Sequence, residues 1–178
     1  MKYFFFSFFL VLFFSSCDDG DVIVTTFDFD EINLEFCQTA TSYVFFKVNN
    51  TNLESLSFKL QTQNDTLLTT QDTLMFQIDG SINVVNYRTY NASVPQNYFC
   101  SSIPPANPRI LQDFVSSQGV ATLFTRIVDT TYTGVGNEQD TSFVYRTSIL
   151  FNNLRLENEN EIVTQQTLDF GFLNVTGQ

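Results

Sequence analysis

Apolar and polar residues alternate with a period of two over much of the chain, a pattern that predicts β-strands. Ile32, Leu34 and Phe36 alternate with Glu31, Asn33 and Glu35, and Leu56, Phe58 and Leu60 alternate with Ser57 and Lys59. Leu74, Phe76 and Ile78 repeat the pattern. A strand of this kind turns one face to a core and the other to water. Residues 43–48 are denser in apolar side chains and predict a strand covered on both faces. Asp79-Gly80 follows the 74–78 segment at once and reads as the turn of a hairpin, with a return strand through Ile82, Val84 and residues 85–90.

Pro104, Pro105 and Pro108 place residues 95–108 in a loop or at a sheet edge, because proline donates no ladder hydrogen bond. Residues 110–117 read as one helical turn, with Leu111, Phe114 and Val115 on one side. After Gly119 the pattern predicts a long hairpin, with strands over 120–132 and 142–156 and a tip over 134–140. In its second strand Phe143, Tyr145, Thr147, Ile149 and Phe151 alternate with Val144, Arg146, Ser148 and Leu150. Leu168, Phe170, Phe172 and Val175 predict a closing strand. No segment carries a helical period beyond two turns. About nine strands with short polar connections predict an all-β protein: an antiparallel β-sandwich, immunoglobulin-like or related, with a β-barrel as the alternative.

The first residues do not belong to this pattern. Lys2 gives a short positive start, residues 3–14 are apolar apart from Ser7, and Ser15 and Ser16 precede Cys17. A charged start, an apolar run of this length and small residues at the end are the marks of a secretory signal. A membrane-spanning helix needs about 20 apolar residues, and Asp18, Asp19 and Asp21 end the run too early. Phe14-Ser15-Ser16-Cys17 resembles a lipobox, the cleavage motif of bacterial lipoproteins, with Phe14 where leucine is usual. The resemblance implies cleavage before Cys17, lipid on Cys17 and anchorage to a membrane through that lipid. Acyl chains anchor by burying CH₂ groups, each worth about 0.8 kcal/mol, and stable attachment takes more than one chain.

Asp18-Asp19-Gly20-Asp21 resembles the acidic tether of Bacteroidota lipoproteins sent to the outer cell surface. An aspartate after the cysteine also resembles the inner-membrane retention signal of enterobacteria. The first resemblance is favoured, which implies a cell-envelope location at the outer membrane or cell surface. The whole chain resembles small uncharacterised flavobacterial lipoproteins, most of all over residues 98–105, Tyr-Phe-Cys-Ser-Ser-Ile-Pro-Pro, a resemblance that brings no activity. The expected organisation is a signal peptide over 1–16, a lipidated cysteine and acidic tether over 17–21, and a single β domain over 22–178.

Charge and composition narrow the chemistry. Without Lys2, seven cations against 19 acids leave −12 on the mature chain. That sign repels nucleic acid and anionic membrane surfaces, so no nucleic-acid partner is expected. The chain has no His and no Trp. The missing His removes Ser-His-Asp and Cys-His catalysis and most zinc sites. The missing Trp weakens a carbohydrate-binding reading, although Tyr or Phe can stack on sugars. With Cys17 lipidated, Cys37 and Cys100 remain, an even pair in an exported chain, which predicts one structural disulfide tying the proline-rich loop to the first strands.

Candidate chemistry is sparse. Gly134, Gly136, Asn137, Glu138 and Asp140, like Asn158, Glu159, Asn160 and Glu161, offer oxygen atoms but not the spacing of a calcium loop. Turn chemistry explains both groups, and no metal or cofactor is expected. Asp28, Asp30, Glu31 and Glu35 cluster in sequence and read as a solvated face rather than a glycosidase pair. Sequons at Asn49, Asn64, Asn91 and Asn174 are expected by chance in an Asn- and Thr-rich chain. Asp65-Thr66-Leu67, Asp72-Thr73-Leu74 and Asp129-Thr130-Thr131 resemble the O-glycosylation acceptor of Bacteroidota, which implies Thr66, Thr73 and Thr130 as acceptors. The expected function is a non-enzymatic binding or envelope-structural module, its protein or glycan partner unnamed. A small apolar-ligand binder with an internal cavity and a carboxylate-dependent hydrolase are the alternatives.

Overall fold

The computed structural model describes residues 27, 29–95, 97–101, 103, 105–133 and 140–177. The expected leader, Cys17, the expected acidic tether, Asp28 and residues 134–139 of the predicted 134–140 tip lie outside these residues, whereas Asp140 begins a strand. The protein is all-β, with no helix among the described residues. Eight strands run in chain order: β1 (Glu35–Gln38), β2 (Ser42–Asn49), β3 (Glu54–Gln61), β4 (Asp72–Ile78), β5 (Val84–Tyr90), β6 (Ile110–Thr133), β7 (Asp140–Glu157) and β8 (Ile162–Gly177). Every pairing is antiparallel, in one sheet ordered β1-β2-β3-β5-β6-β7-β8, with β4 also on β6. The sheet curls strongly into a half-barrel, a form that fits both the sandwich and the barrel expectation.

The curl is closed by an aromatic contact between strands that are not neighbours, extended by a ring from the adjacent strand. Phe58 on β3 meets Phe151 on β7 edge to face at 5.2 Å, and Phe170 on β8 lies 5.2 Å from Phe151. Phe45, Leu56, Leu60, Leu123, Ile149 and Leu154 are buried around them. These are the inward members of the period-two pattern, so burying them selects the curl. The β3–β4 connection adds Leu67 and Leu68 to this core, and the Tyr43 hydroxyl donates to the carbonyls of Asn64 and Asp65 at 3.2 Å.

The outer face of β2, β3 and β5 is also covered, by the proline-rich segment 91–109. Phe99 stacks on Phe46 at 4.8 Å, and Tyr90, Val94 and Tyr98 form a second small cluster. The Asn50 side chain accepts from the Val94 amide at 2.7 Å and donates to its carbonyl at 3.2 Å. The Cys37–Cys100 disulfide joins the segment to β1 with Cα atoms 5.6 Å apart, inside the usual bridge range. The dense apolar character of residues 43–48 follows from this cover on both faces.

Four local expectations differ from the structure. Eight strands form among the described residues against about nine expected, and β1 begins only at Glu35 because Glu31 and Ile32 lie in a turn. Residues 110–117 are the start of β6 and not a helical turn, since Tyr87 pairs with Phe114 and Asn86 with Val115. The helical spacing of Leu111, Phe114 and Val115 reflects apolar side chains on opposite faces of one strand. Asp79-Gly80 does not close a hairpin. β4 and β5 lie end to end along β6, with Ile78 opposite Gly119 and Asn86 opposite Val115. Between them Asp79 folds its carboxylate onto the amides of Ser81 at 2.9 Å and Ile82 at 2.8 Å. These bonds hold its pKa below the usual carboxylate value. Gly80 is required by its φ of 75° and by the Ser116 carbonyl oxygen, which a Cβ would strike.

The fourth difference lies on β8. The expected face of Leu168, Phe170 and Phe172 is split by a bulge, where Gly171 opposes Ile149 but Asp169 opposes Leu150. Phe170 turns into the core, whereas Phe172 is sent outward opposite Ser148. Gly171 has φ 102°, and an added Cβ would lie 3.2 Å from the Lys47 Nζ.

Candidate binding face

The outer face of β4, β6, β7 and β8 is built by side-chain parity. Leu74, Leu123, Thr147 and Leu173 turn inward, so their chain neighbours turn outward. Register aligns Thr73, Phe124, Ser148 and Phe172 in one row across the four strands. The next row holds Arg126, Arg146 and Asn174, each directly opposite its neighbour. Met75 stands one step along β4. Met75, Phe172 and Phe124 are 71%, 52% and 45% exposed on this face.

The two arginines sit without an acidic partner among the described residues. Ion pairs among the described residues join Arg88 to Asp113 and Arg155 to Glu157 and do not include Arg126 or Arg146. The Arg146 guanidinium lies 4.3 Å from the Phe172 ring centroid, and its Nε donates to Asn174 Oδ1 at 3.1 Å. This orients a cation over an aromatic face. Asp129, farther along β6, accepts from the Thr130 amide at 2.8 Å. Like charges directly across an antiparallel pair are destabilising, so Arg126 facing Arg146 disfavours the fold locally.

Other polar groups are absorbed by the fold. Lys47 is buried, and its Nζ donates to the Phe29 carbonyl at 2.8 Å. Burial lowers its pKa, against the opposing influence of Asp169 and Asp30. A shallow recess beside it, of about 140 Å³, is lined by Asp30, Ile32, Asn33, Leu34, Gly171 and Phe172. At the same end of the core Glu54 accepts from the Tyr87 hydroxyl at 2.8 Å and from Asn52 Nδ2 at 3.1 Å. Burial first, then the Glu54 carboxylate, pushes the Tyr87 hydroxyl well above its usual pKa. A broad open groove of about 840 Å³ runs between Leu111–Val115 and the β7–β8 turn, with Asp113, Glu157, Glu159 and Glu161 on its walls. Asp113 is held there by Arg88 at 2.9 and 3.0 Å.

The residues singled out from sequence are dispersed. Asp30, Glu31 and Glu35 are exposed and do not converge on a cleft. Asn158 accepts from the amides of Asn160 and Glu161 at 2.8 Å, which makes the 158–161 segment a self-bonded turn. Thr66 is exposed in the β3–β4 connection, its Oγ1 donating to Asn64 Oδ1 at 3.0 Å. Thr73 is exposed on β4 opposite Phe124, and Thr130 is partly exposed on β6. Sequence reading missed Phe124, Arg126, Arg146 and Phe172 as a group. An arginine and a phenylalanine in the polar phase of strongly alternating strands were the available signal. No protein-family model matches the chain, and no curated protein or solved structure matches it.

Proposed function

We propose that the protein is a lipid-anchored lipoprotein of the bacterial cell envelope, displayed at the outer membrane or cell surface. It acts there as a non-enzymatic binding module through the outer face of β4, β6, β7 and β8. The observation that carries this reading is the contrast between interior and face. The interior is filled by interlocking Phe45, Phe58, Phe151 and Phe170. The face instead exposes Met75, Phe124 and Phe172 beside two arginines that lack an acidic partner among the described residues. Exposed apolar patches rimmed by polar groups mark interaction surfaces. The leader ending at Cys17 supports the anchor, and the acidic tether supports the outward placement.

Feeding cells radiolabelled palmitate tests the anchor. Label enters the parent protein and is absent from a Cys17→Ser variant. Label kept by the variant, or missing from the parent, overturns it. A Met75→Cys variant tests placement and face together. A membrane-impermeant maleimide labels it on intact cells. Labelling seen only after lysis refutes display at the surface.

A further inference from the structure

We infer that the Phe124–Phe172 row and the Arg126–Arg146 row together bind an acidic polysaccharide, one bearing carboxylate or sulfate groups on its sugar rings. The inference rests on the reading of this face as the binding surface and adds the chemistry of the partner. Phe124 on β6 and Phe172 on β8 lie in one row with Ser148 between them. Two strand spacings separate them by about 10 Å, roughly the length of a disaccharide. Aromatic rings held at that interval on the outer face suit the apolar C–H faces of alternate sugars along a chain.

The arginine row lies two residues along the same strands, about 7 Å away. Arg126 and Arg146 face each other, and no described carboxylate neutralises either. A guanidinium presents a planar fork that fits carboxylate or sulfate oxygens two at a time. A bound anion between the two would convert the cross-strand repulsion into attraction. Arg146 is already oriented by Phe172 and Asn174, which reduces the freedom lost on binding. Thr73, Ser148 and Asn174 border the rings and offer hydrogen bonds to sugar hydroxyls.

Net charge opposes a polyanion, so the attraction rests on the local pair of arginines. The chain carries −11 overall, so its other surfaces repel polyanions and anionic bilayers. A polyanion gains at the row where Arg126 and Arg146 stand directly opposite each other. A membrane-docking face is expected to carry interfacial Trp or Tyr with several Lys, and the row has neither. An acidic peptide in extended form would add to a sheet edge rather than lie across a face.

The test uses the full chain carrying Cys17→Ser, so that no lipid contributes to binding, and titrates it calorimetrically. The probes are polygalacturonate, dextran sulfate, neutral dextran, polyglutamate and phosphatidylglycerol vesicles. Binding to polygalacturonate or dextran sulfate is expected, weakening as salt rises. Paired Arg126→Gln and Arg146→Gln substitutions are expected to weaken it at least tenfold, as loss of charge-assisted bonds implies. Paired Phe124→Thr and Phe172→Thr substitutions weaken it likewise. Because these positions are outward, the melting temperature stays unchanged or rises. Absence of binding to both acidic polysaccharides overturns the inference, as does binding that the variants leave intact. Neutral dextran bound as well as dextran sulfate overturns the role of the arginines. Polyglutamate or vesicles bound more tightly, with the same sensitivity to the variants, overturn the polysaccharide in favour of a peptide or a membrane. Palmitate labelling decides the anchor separately, so the two can fail independently.

Discussion

Removing the Cys37–Cys100 disulfide should lower stability by about 4 kcal/mol. The bridge joins residues 63 positions apart. Closing a loop of that length removes unfolded-chain entropy worth about 4 kcal/mol at 25 °C in the chain-entropy model. The folded state loses little directly, because the segment it ties down keeps other holds. Phe99 remains stacked on Phe46, Asn50 brackets the Val94 backbone, and Asn91 accepts from the Arg109 amide at 2.7 Å. The fold therefore survives, and the loss appears chiefly through the unfolded state. The assay is urea unfolding of the parent and of a variant with both cysteines changed to alanine, followed by far-ultraviolet circular dichroism and tyrosine fluorescence. The midpoint falls, and the denaturant slope rises because an unbridged chain exposes more surface when unfolded. In thermal unfolding the shift is roughly 8–16 °C for a domain of this size. A loss below about 1 kcal/mol with both probes coincident would refute the entropic argument.

Two further outcomes follow from the core. Phe151→Ala deletes the ring shared by Phe58 and Phe170 and should destabilise by about 3–5 kcal/mol, read from the urea midpoint; a cost near that of an exposed substitution would mean the β3–β7 contact does not close the curl. Burial raises the hydroxyl pKa values of Tyr43, Tyr87 and Tyr90 above 10.0, with Tyr90 pushed up to about 12. The fold favours their neutral forms, so this stability is complete below 10.0 and is lost as pH rises through the folded values. Ultraviolet titration should show a late tyrosinate phase that merges with alkaline unfolding. All tyrosines ionising together in a still-folded chain would contradict it.

Much of the secondary structure was legible because alternation is a local property. Leu56, Phe58 and Leu60 must share a face on any strand, whatever that strand pairs with. The disulfide was legible for a similar reason, since with Cys17 expected to be lipidated two cysteines leave one pairing to make. The loop over 95–108 was fixed by prolines that cannot enter a ladder. The address proposed at Cys17 likewise rests on neighbouring residues alone.

Register and sheet order are not local, and there the tertiary structure decided. Asp79-Gly80 has the composition of a hairpin turn, yet β4 and β5 lie end to end because β6 is long enough to pair with both. Residues 110–117 carry a helical spacing that strand pairing with β5 overrides. One bulge at Asp169–Gly171 shifts parity on β8, burying Phe170 and exposing Phe172. The sequence placed Phe124, Arg126, Arg146 and Phe172 on strands. Only pairing across β6, β7 and β8 set two rings in one row and two arginines in the next, because a one-residue change of register sends every side chain to the opposite face.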